Sequence, residues 1–361
     1  MKKICFVVFN LSYIGGIERV NSVITNILAN NPNYDITLLS LFGNESEMKN
    51  SFTVNEKIHL KWLINEPLDF RKKALKVIKL IENEIIVNQY NIVVTGDFKT
   101  YFALIKMKNK KKFKLILWEH FNNNEFRSFL RKQAKKFQMI STDKMVVLTN
   151  LDKESNINEF GFANKIARIY NPYSFIQDMM PNIQSKKIIT IGRLVAPQKG
   201  LEFIVQIGKI IFKRFPDWSW DVYGRGDQYD VINKLIIENK LEDNIHLKGV
   251  CYDVENIYPN YSIFGLTSRY EGLGIVLLEA KMSKLPLISF DINCGLSEII
   301  ADGLNGYLIP PFNIEAYAEK MMLLMESEEL RKTFSENSKI DFDKFTVETI
   351  KKEWENLLDS L

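Results

Sequence analysis

The chain has 361 residues, which is too long for one ordinary domain and suits two domains of about 150–200 residues each. Hydrophobic residues make up 46% of it, a share typical of globular proteins that excludes intrinsic disorder. The net charge is +4, but the charge is distributed unevenly along the chain. Residues 1–172 carry 27 Lys and Arg and 16 Asp and Glu, whereas the remaining residues carry 21 and 28. We therefore expect the two halves to face different partners.

Hydropathy and cysteine usage predict a cytoplasmic protein. No apolar run approaches the roughly 18 residues of a membrane span, and the run 4–9 is shorter than the apolar region of a signal peptide. Cys5, Cys251 and Cys294 lie far apart and form no C-x-x-C pair, which argues against a disulfide framework or a zinc site and fits a reducing compartment.

The first half alternates short apolar runs with amphipathic stretches. Strands are predicted over 4–9, 36–41, 58–63, 92–95, 114–118 and 144–148. Helices are predicted over 20–29, 74–86, 101–107 and 126–137. Continuous apolar strands that alternate with helices are typical of a parallel sheet covered on both faces.

After a Pro-containing linker over 171–187, the same alternation begins again. Strands are predicted over 187–191, 218–223, 245–247, 263–267, 286–290 and 306–309. Helices are predicted after Gly200 and over 229–239, 275–282, 297–301, 314–325 and 347–361. The sequence therefore predicts a second doubly wound α/β domain, and ligands bind such sheets beyond the carboxyl ends of the strands.

The segment 268–280 combines glycines with two carboxylates after a strand. Gly272 and Gly274 let the backbone approach a ligand, and the following helix start offers free N–H groups to a phosphate. Glu279 lies one turn into an apolar helix, where a carboxylate needs partners such as sugar hydroxyls. The alternative for Glu279 is an internal salt bridge or a cap, and it stays open here.

Two further loops follow strands of the second half. Arg193 and Lys199 flank the loop 191–200, a suitable place for two cations that hold a diphosphate. Gly224 lies in a G-x-G after another strand. Taken alone, the first loop is better explained as a solvated basic loop and the second as a tight turn, and the two gain weight only because both lie at the same edge of the sheet.

The first half offers Gly15, Gly16 and His120. The two glycines follow the first strand, but their spacing is not the G-x-G-x-x-G fingerprint, which disfavours an NAD-type cofactor. His120 ends the run W-E-H after a central strand and could bond a sugar hydroxyl or support charge on a leaving phosphate. Its alternative is a structural hydrogen bond. Glu119 is expected to point the other way.

Together these motifs resemble the family 4 retaining glycosyltransferases, which have the GT-B fold of two Rossmann-like domains around a cleft. The resemblance covers nearly the whole chain, and its most specific part is Glu271-x7-Glu279 in a strand–loop–helix setting. It is nearest to the bacterial enzymes of capsule, exopolysaccharide or lipopolysaccharide synthesis. It implies an acceptor-binding domain over 1–172, a donor-binding domain over 173–344, and a closing helix over 345–361 that returns to the first domain.

The resemblance also implies a role for each motif residue. Arg193 and Lys199 would hold the donor diphosphate, Glu279 the ribose, and Glu271 the transferred sugar. The remaining donor contacts would be Gly15, Gly16, Gly224, Gly272, Leu273, Gly274 and Ile275. His120 would act near the reacting sugar, so the catalytic set is His120, Glu271, Arg193 and Lys199. Lys284 and Leu296 depart from the glycine and proline usual in the family.

The implied reaction transfers a hexose or N-acetylhexosamine from a nucleotide-sugar, preferably a UDP-sugar, to a glycan or polyprenyl-diphosphate-linked acceptor. The anomeric configuration would be retained. No D-x-D motif is placed to hold a metal, so no metal or cofactor is expected. The rival functions are a GT-B-type sugar-nucleotide epimerase and a degenerate subunit that only binds nucleotide-sugars.

The stretch 126–137 predicts a basic amphipathic helix. Our hypothesis is that it lies on the anionic inner face of the plasma membrane through Phe126, Arg127, Phe129, Arg131, Lys132 and Lys135. The alternative is an ordinary surface helix that packs its phenylalanines into the domain. No base-stacking or groove-reading motif accompanies the charge, so nucleic acid is not expected as a partner.

Overall fold

The computed structural model describes residues 1–12, 15–44, 48, 53–65, 70–111, 113–120, 129–173, 180–251 and 253–361, without the side chains of 70–75, 99, 109–111 and 129–131. The contacts between Cα atoms divide the chain into two compact units. Unit 1 combines Met1–Pro172 with Lys344–Leu361, and unit 2 is Tyr173–Asp343.

Unit 1 is built on a parallel sheet in the order β3-β2-β1-β4-β5-β6-β7. Its described strands are β1 (Lys2–Asn10), β2 (Tyr34–Phe42), β3 (His59–Trp62), β4 (Ile92–Thr95), β5 (Lys114–Trp118), β6 (Lys144–Val147) and β7 (Ile166–Arg168). The central strands are almost fully buried, as a sheet with helices on both faces requires. The sheet order reverses between β1 and β4, where Ile4 pairs with Ile92.

The helices of unit 1 connect these strands. They are α1 (Gly16–Leu28), α2 (Phe70–Asn88), α3 (Phe98–Lys111), α4 (Phe129–Ser141), α5 (Asn150–Phe160) and α11 (Val347–Asp359). Among the described residues, no helix combines the length and the apolar character that a bilayer span requires.

Helix α11 completes the core of unit 1 although it comes from the far end of the sequence. Trp354 is fully buried, and its ring lies 4.9 Å from the ring of Trp118 on β5 and 5.9 Å from that of Phe6 on β1. Arg168 Nη1 donates to Glu353 at 3.0 Å, and Lys2 Nζ donates to the carbonyl of Leu358 at 2.9 Å. The apolar face of α11 is therefore part of this core, and polar contacts hold its edges.

Unit 2 has a second parallel sheet in the order β10-β9-β8-β11-β12-β13. Its described strands are β8 (Lys187–Ile191), β9 (Ser219–Tyr223), β10 (Ile245–Gly249), β11 (Ile263–Leu266), β12 (Leu287–Phe290) and β13 (Gly306–Ile309). Its helices are α6 (Leu201–Arg214), α7 (Tyr229–Glu238), α8 (Ile275–Met282), α9 (Ile314–Glu326) and α10 (Glu328–Glu336). Here the strand order reverses between β8 and β11, which is where ligands bind in open parallel sheets.

The predicted α/β class with two parallel-sheet domains is confirmed. Every predicted strand is present with small shifts at its ends, but β7, α5 and α10 were not predicted. The helix predicted over 297–301 is wrong, because that segment forms only a short 3-10 turn over Leu296–Glu298. It follows Gly295, whose φ of 83° directs the chain into this turn.

Candidate functional site at the edge of the second sheet

The loops after β8 and β11 meet at the point where the sheet order reverses. Gly200 begins α6 with a φ of 55°, and a Cβ there would overlap the carbonyl oxygen of Thr267. The hydroxyl of Thr267 in turn donates to the carbonyl of Lys199 at 3.1 Å. These contacts fix the position of Lys199 relative to the end of β11.

Glu271 and Lys199, which are 72 residues apart, form a buried ion pair at this edge. Lys199 Nζ lies 2.6 Å from Glu271 Oε1, and their side chains are only 12% and 8% exposed. Ser268 Oγ donates to the same Oε1 at 2.6 Å. Within the described part of the chain, the other carboxylate oxygen, Oε2, has no hydrogen-bond partner, so one oxygen of Glu271 is occupied and the other is available.

Glu279 is the second carboxylate of the motif and is buried one turn into α8. Gly274, the residue just before the helix, has a φ of 75°, a conformation that a glycine adopts without strain. The hydroxyl of Tyr258 lies 3.2 Å from Glu279 Oε2 and 3.3 Å from the carbonyl oxygen of Val276. Leu296 packs close to Gly274, since a Cβ on Gly274 would lie 3.2 Å from Leu296 Cδ2.

Gly224 and Arg193 occupy neighbouring loops. A Cβ on Gly224 would overlap the carbonyl oxygen of Gly192, so the loops after β8 and β9 touch through their backbones. Arg193 is exposed, and its guanidinium makes no hydrogen bond or ion pair with the described residues. The structure thus brings Lys199, Glu271 and Gly224 to one edge and shows no contact between Arg193 and the acidic residues.

A narrow crevice lies beside the Lys199–Glu271 pair. It is lined by Thr190, Ile191, Gly192, Leu194, Lys199, Leu201, Val222, Leu266 and Ser268. Among the described residues, no three His, Cys, Asp or Glu side chains are grouped so that they could hold a metal ion. This finding does not test whether the reaction needs a metal, so the expectation of a metal-free site stays a prediction.

Ser268 and Arg269 are two site residues to which the sequence analysis gave no role. The backbone N–H of Arg269 donates to Gln198 at 2.7 Å, its guanidinium pairs with Glu202, and it stacks 4.4 Å from the ring of Phe203. Arg269 thereby ties the loop after β11 to the start of α6. The spacing of Ser268 three residues before Glu271 was a usable signal, but the partners of Arg269 are distant in sequence and gave none.

His120 lies at the corresponding edge of the first sheet. Its ring lies 4.6 Å from that of Trp118 and fits against Gly96, where a Cβ would lie 2.7 Å from His120 Cδ2. His120 Nε2 is buried without a hydrogen-bond partner among the described residues. Burial lowers the pKa of His120 from its usual value to about 3, so the imidazole is neutral at physiological pH.

Gly15 and Gly16 lie where α1 begins. Gly15 is extended, with a φ of −146°, and a Cβ on it would clash with the carboxylate of Glu18 in the first turn of the helix. The glycine thus leaves room for an acidic side chain at the helix N-terminus, where a carboxylate is stabilised by the helix dipole. The proposed phosphate contacts of Gly15 and Gly16 remain a prediction.

The predicted basic face of the helix in 126–137 needs a correction. Lys135 is buried and forms an ion pair with Glu119, so the prediction that it faces a membrane is wrong. Burial lowers the pKa of Lys135, and the carboxylates of Asp152 and Glu159 oppose that shift. Lys132 is half exposed and pairs with Glu159 at 2.5 Å. Phe126 and Arg127 lie outside the described residues, as do the side chains of Phe129 and Arg131.

Comparison with protein families finds a match in the second half of the chain. The family described as "Glycosyl transferases group 1" matches residues 177–341. An uncharacterized glycosyltransferase of Haemophilus influenzae is 29% identical over 362 residues, which cover 99% of this chain and 100% of the relative. The amylovoran biosynthesis glycosyltransferase AmsD of Erwinia amylovora is 28% identical over 371 residues, which cover 99% and 100%.

Solved structures share the fold along the length of the chain. A Staphylococcus aureus TarM mutant in complex with UDP, fondaparinux and alpha-GlcNAc-glycerol has a TM-score of 0.82 at 17% identity, covering 99% of each chain. HepE of Anabaena in complex with UDP and glucose has a TM-score of 0.82 at 16% identity, covering 100% of each chain. At this level of identity the likeness shows a shared GT-B fold.

Proposed function

We propose that this chain, whose residues 177–341 match the group 1 glycosyl transferases, transfers a hexose or N-acetylhexosamine from a UDP-sugar to a glycan acceptor in surface polysaccharide synthesis. The observation that carries the proposal is the convergence of Lys199, Ser268 and Glu271 at the reversal point of the second sheet. Support for UDP comes from TarM and HepE, whose structures contain it, and support for the pathway comes from AmsD.

Lys199 is proposed to bind the donor diphosphate. Its ammonium is buried against Glu271, and a buried cation needs an anionic partner of this kind. A diphosphate entering this edge would offer a stronger anion, and the Glu271 carboxylate would then be free to accept hydrogen bonds from the transferred sugar. Arg193 would be recruited from solvent, since it is exposed and uncommitted.

The segment Gly272–Ile275 and Glu279 are proposed to complete the donor site. The start of α8 supplies backbone N–H groups that stabilise an anion, and Glu279 accepts hydrogen bonds from the ribose hydroxyls. Cationic side chains and a helix start can stabilise the departing diphosphate without a metal. Retention by front-face attack, with the leaving phosphate oxygen assisting deprotonation of the acceptor, is the mechanism we propose on the family resemblance.

We propose that unit 1 binds the acceptor. His120, Gly15 and Gly16 belong to this unit, and their roles at the reacting sugar rest on the resemblance. A neutral His120 suits hydrogen bonding to a sugar hydroxyl better than it suits a permanent positive charge. We also propose a lipid-linked acceptor and attachment of unit 1 to the inner face of the plasma membrane.

The test is a thermal-shift screen with UDP-, GDP- and ADP-sugars, followed by detection of free nucleotide. Since a ligand stabilises the folded protein by RT ln(1 + [L]/Kd), the donor should raise the melting temperature of the wild type. Lys199→Met should abolish this shift. Lys187→Met, at the start of β8, is the control and should keep it.

Three results separate the proposal from its rivals. Free UDP with a glycosylated acceptor supports transfer, whereas an epimerised nucleotide-sugar would show an epimerase. Binding of nucleotide-sugars without turnover, even with lipid-linked acceptors, would indicate a degenerate subunit. No stabilisation by any of the nucleotide-sugars would contradict the proposed function itself.

A further inference from the structure

We propose that Tyr258 is a positioning residue for the donor site: its hydroxyl holds the carboxylate of Glu279 in the orientation that selects a ribose with free hydroxyls. The inference rests on the proposed function, because it assigns a partner to the carboxylate that would bind the nucleotide. Tyr258 lies on the 3-10 turn Tyr258–Asn260, between β10 and β11, and belongs to none of the motifs found in the sequence.

The geometry makes Tyr258 a fixed hydrogen-bonding group. Its side chain is fully buried, and its ring lies 6.2 Å from that of Phe264 on β11. Its hydroxyl reaches both Glu279 Oε2, at 3.2 Å, and the carbonyl oxygen of Val276, at 3.3 Å. It therefore touches α8 at two points, the Glu279 carboxylate and the backbone of the preceding turn.

The turn that carries Tyr258 is itself anchored from both sides. The backbone N–H of Asn182 donates to Pro259 at 2.9 Å, and Ser185 Oγ donates to the carbonyl of Asn260 at 3.0 Å. At its end, Tyr261 donates to Asp221 Oδ2 on β9 at 2.7 Å. A phenol held this way cannot follow the carboxylate if Glu279 moves, so the carboxylate is positioned by the turn.

Under the proposed function, the buried carboxylate of Glu279 must be oriented towards the ligand. Glu279 is 3% exposed, and a carboxylate at such a position needs hydrogen-bond donors, which also orient it. With Oε2 bonded to Tyr258, the carboxylate plane is fixed for hydrogen bonds to vicinal hydroxyls. Phenylalanine would keep the ring packing and remove only the donor.

Tyr261 supplies a matched control from the same turn. Its hydroxyl lies in a separate cluster, where it contacts Asp221 and lies 3.0 Å from the hydroxyl of Tyr223. Tyr261→Phe therefore removes a buried hydrogen bond of the same kind from the same segment without touching Glu279. A merely structural role for Tyr258 would make the two variants behave alike.

The experiment measures Kd for UDP and for 2′,3′-dideoxy-UDP by calorimetry in wild type, Tyr258→Phe, Tyr261→Phe, Glu279→Gln and the double variant Tyr258→Phe/Glu279→Gln. We expect wild type to prefer UDP over the dideoxy analogue by about tenfold or more, since a lost charged hydrogen bond corresponds to at least that factor. Tyr258→Phe should weaken UDP binding about fivefold to tenfold and leave the analogue nearly unchanged. The double variant should bind UDP no more weakly than Glu279→Gln alone.

The outcomes distinguish this inference from the proposed function. Equal UDP preference in wild type and Tyr258→Phe, or equal losses in Tyr258→Phe and Tyr261→Phe, would overturn the positioning role while leaving the donor site intact. Additive losses in the double variant would show that Tyr258 does not act through Glu279 and would also overturn it. If wild type bound neither compound, the UDP-donor assignment would fail and the inference with it.

Discussion

One carboxylate oxygen of Glu271 accepts hydrogen bonds from two donors, so the loss of either donor leaves the other in place. Ser268 Oγ and Lys199 Nζ both lie 2.6 Å from Oε1. When the ammonium turns to a diphosphate, Ser268 would be the remaining partner among the contacts seen here. Under the proposed function, we therefore expect the serine to matter most when the donor is bound.

Ser268→Ala is expected to lower kcat/KM for donor turnover about tenfold, because one hydrogen bond to a charged group is lost at the carboxylate that we propose binds the sugar. The measurement is the initial rate of UDP release with saturating acceptor. Ser289→Ala is the control, since Ser289 is equally buried in the same sheet but donates to the backbone carbonyl of Phe290. Similar losses in both variants would show that the effect is not specific to Glu271.

Burial of His120 should make the free energy of unfolding depend on pH in the acidic range. Its pKa is about 3 in the folded protein because of burial, whereas an unfolded histidine has its usual value of 6.5. The unfolded chain therefore binds a proton that the folded chain does not, and the free energy of unfolding falls as the pH drops below 6.5. Urea unfolding should show that wild type loses about 2 kcal/mol more than His120→Phe between pH 6.5 and 5.

The exposed His59 offers the comparison for that measurement, because its side chain is 63% accessible. His59→Phe should keep the acid-dependent loss of the wild type. If His120→Phe and wild type lost stability in parallel on acidification, the neutral state of His120 would be refuted.

Lys284 adopts a left-handed backbone conformation, with a φ of 57°. It follows the end of α8, where glycine is the residue that this conformation favours, which accounts for the glycine usual in the family. Lys284→Gly should raise the free energy of unfolding by about 1 kcal/mol in urea denaturation. Lys248→Gly, within β10, should instead lower it, and stabilisation by both substitutions would contradict the backbone argument.

At the scale of elements, the packing of α11 gives the clearest prediction about stability. Trp354 fills the space between β1 and β5, so Trp354→Ala should destabilise unit 1 by about 3–5 kcal/mol through the cavity it leaves. Urea unfolding followed by circular dichroism measures the loss. Trp354→Phe should cost less, and Lys352→Ala on the exposed face of the same helix should cost almost nothing. A loss for Lys352→Ala as large as for Trp354→Ala would contradict this.

The elements that the sequence predicted are those with a long apolar run or a clear helical period. β7 was missed because it has three residues and ends in Arg168, so it shows no run. α5 was missed because only Asp152 and Asn156 among its residues are buried, and both are polar. The positions of Lys199 and Glu271 at one sheet edge followed from topology, whereas the contacts of Tyr258 and Arg269 depend on packing that no local pattern records.

At the scale of the whole molecule, charge separates the two units. Unit 1 carries 30 Lys and Arg against 20 Asp and Glu, whereas unit 2 carries 18 against 24. Unit 1 also exposes Phe98, Phe137 and Ile140 by 52%, 47% and 53%, and Phe102 links the two phenylalanines with ring distances of 4.7 and 6.1 Å. Exposed aromatic rings on a basic unit are suited to an anionic membrane surface.

We therefore expect the protein to float with anionic liposomes at low salt and to be released at high salt, where surface charges are screened. Phe137→Ser should weaken this binding severalfold, since part of the apolar contact is removed. Neutral liposomes are the control for charge. Unchanged binding of Phe137→Ser would refute the aromatic contact, and absence of binding by the wild type would end the membrane hypothesis.

The packing of α11 also sets an order for folding during translation. Trp118 and Phe6 emerge from the ribosome early, yet the tryptophan that covers them belongs to residues 344–361. Unit 2 is continuous in sequence and can close as soon as it has been synthesised, whereas unit 1 must wait with part of its aromatic core uncovered. In this chain the domain that is made first is therefore the one whose core is completed last.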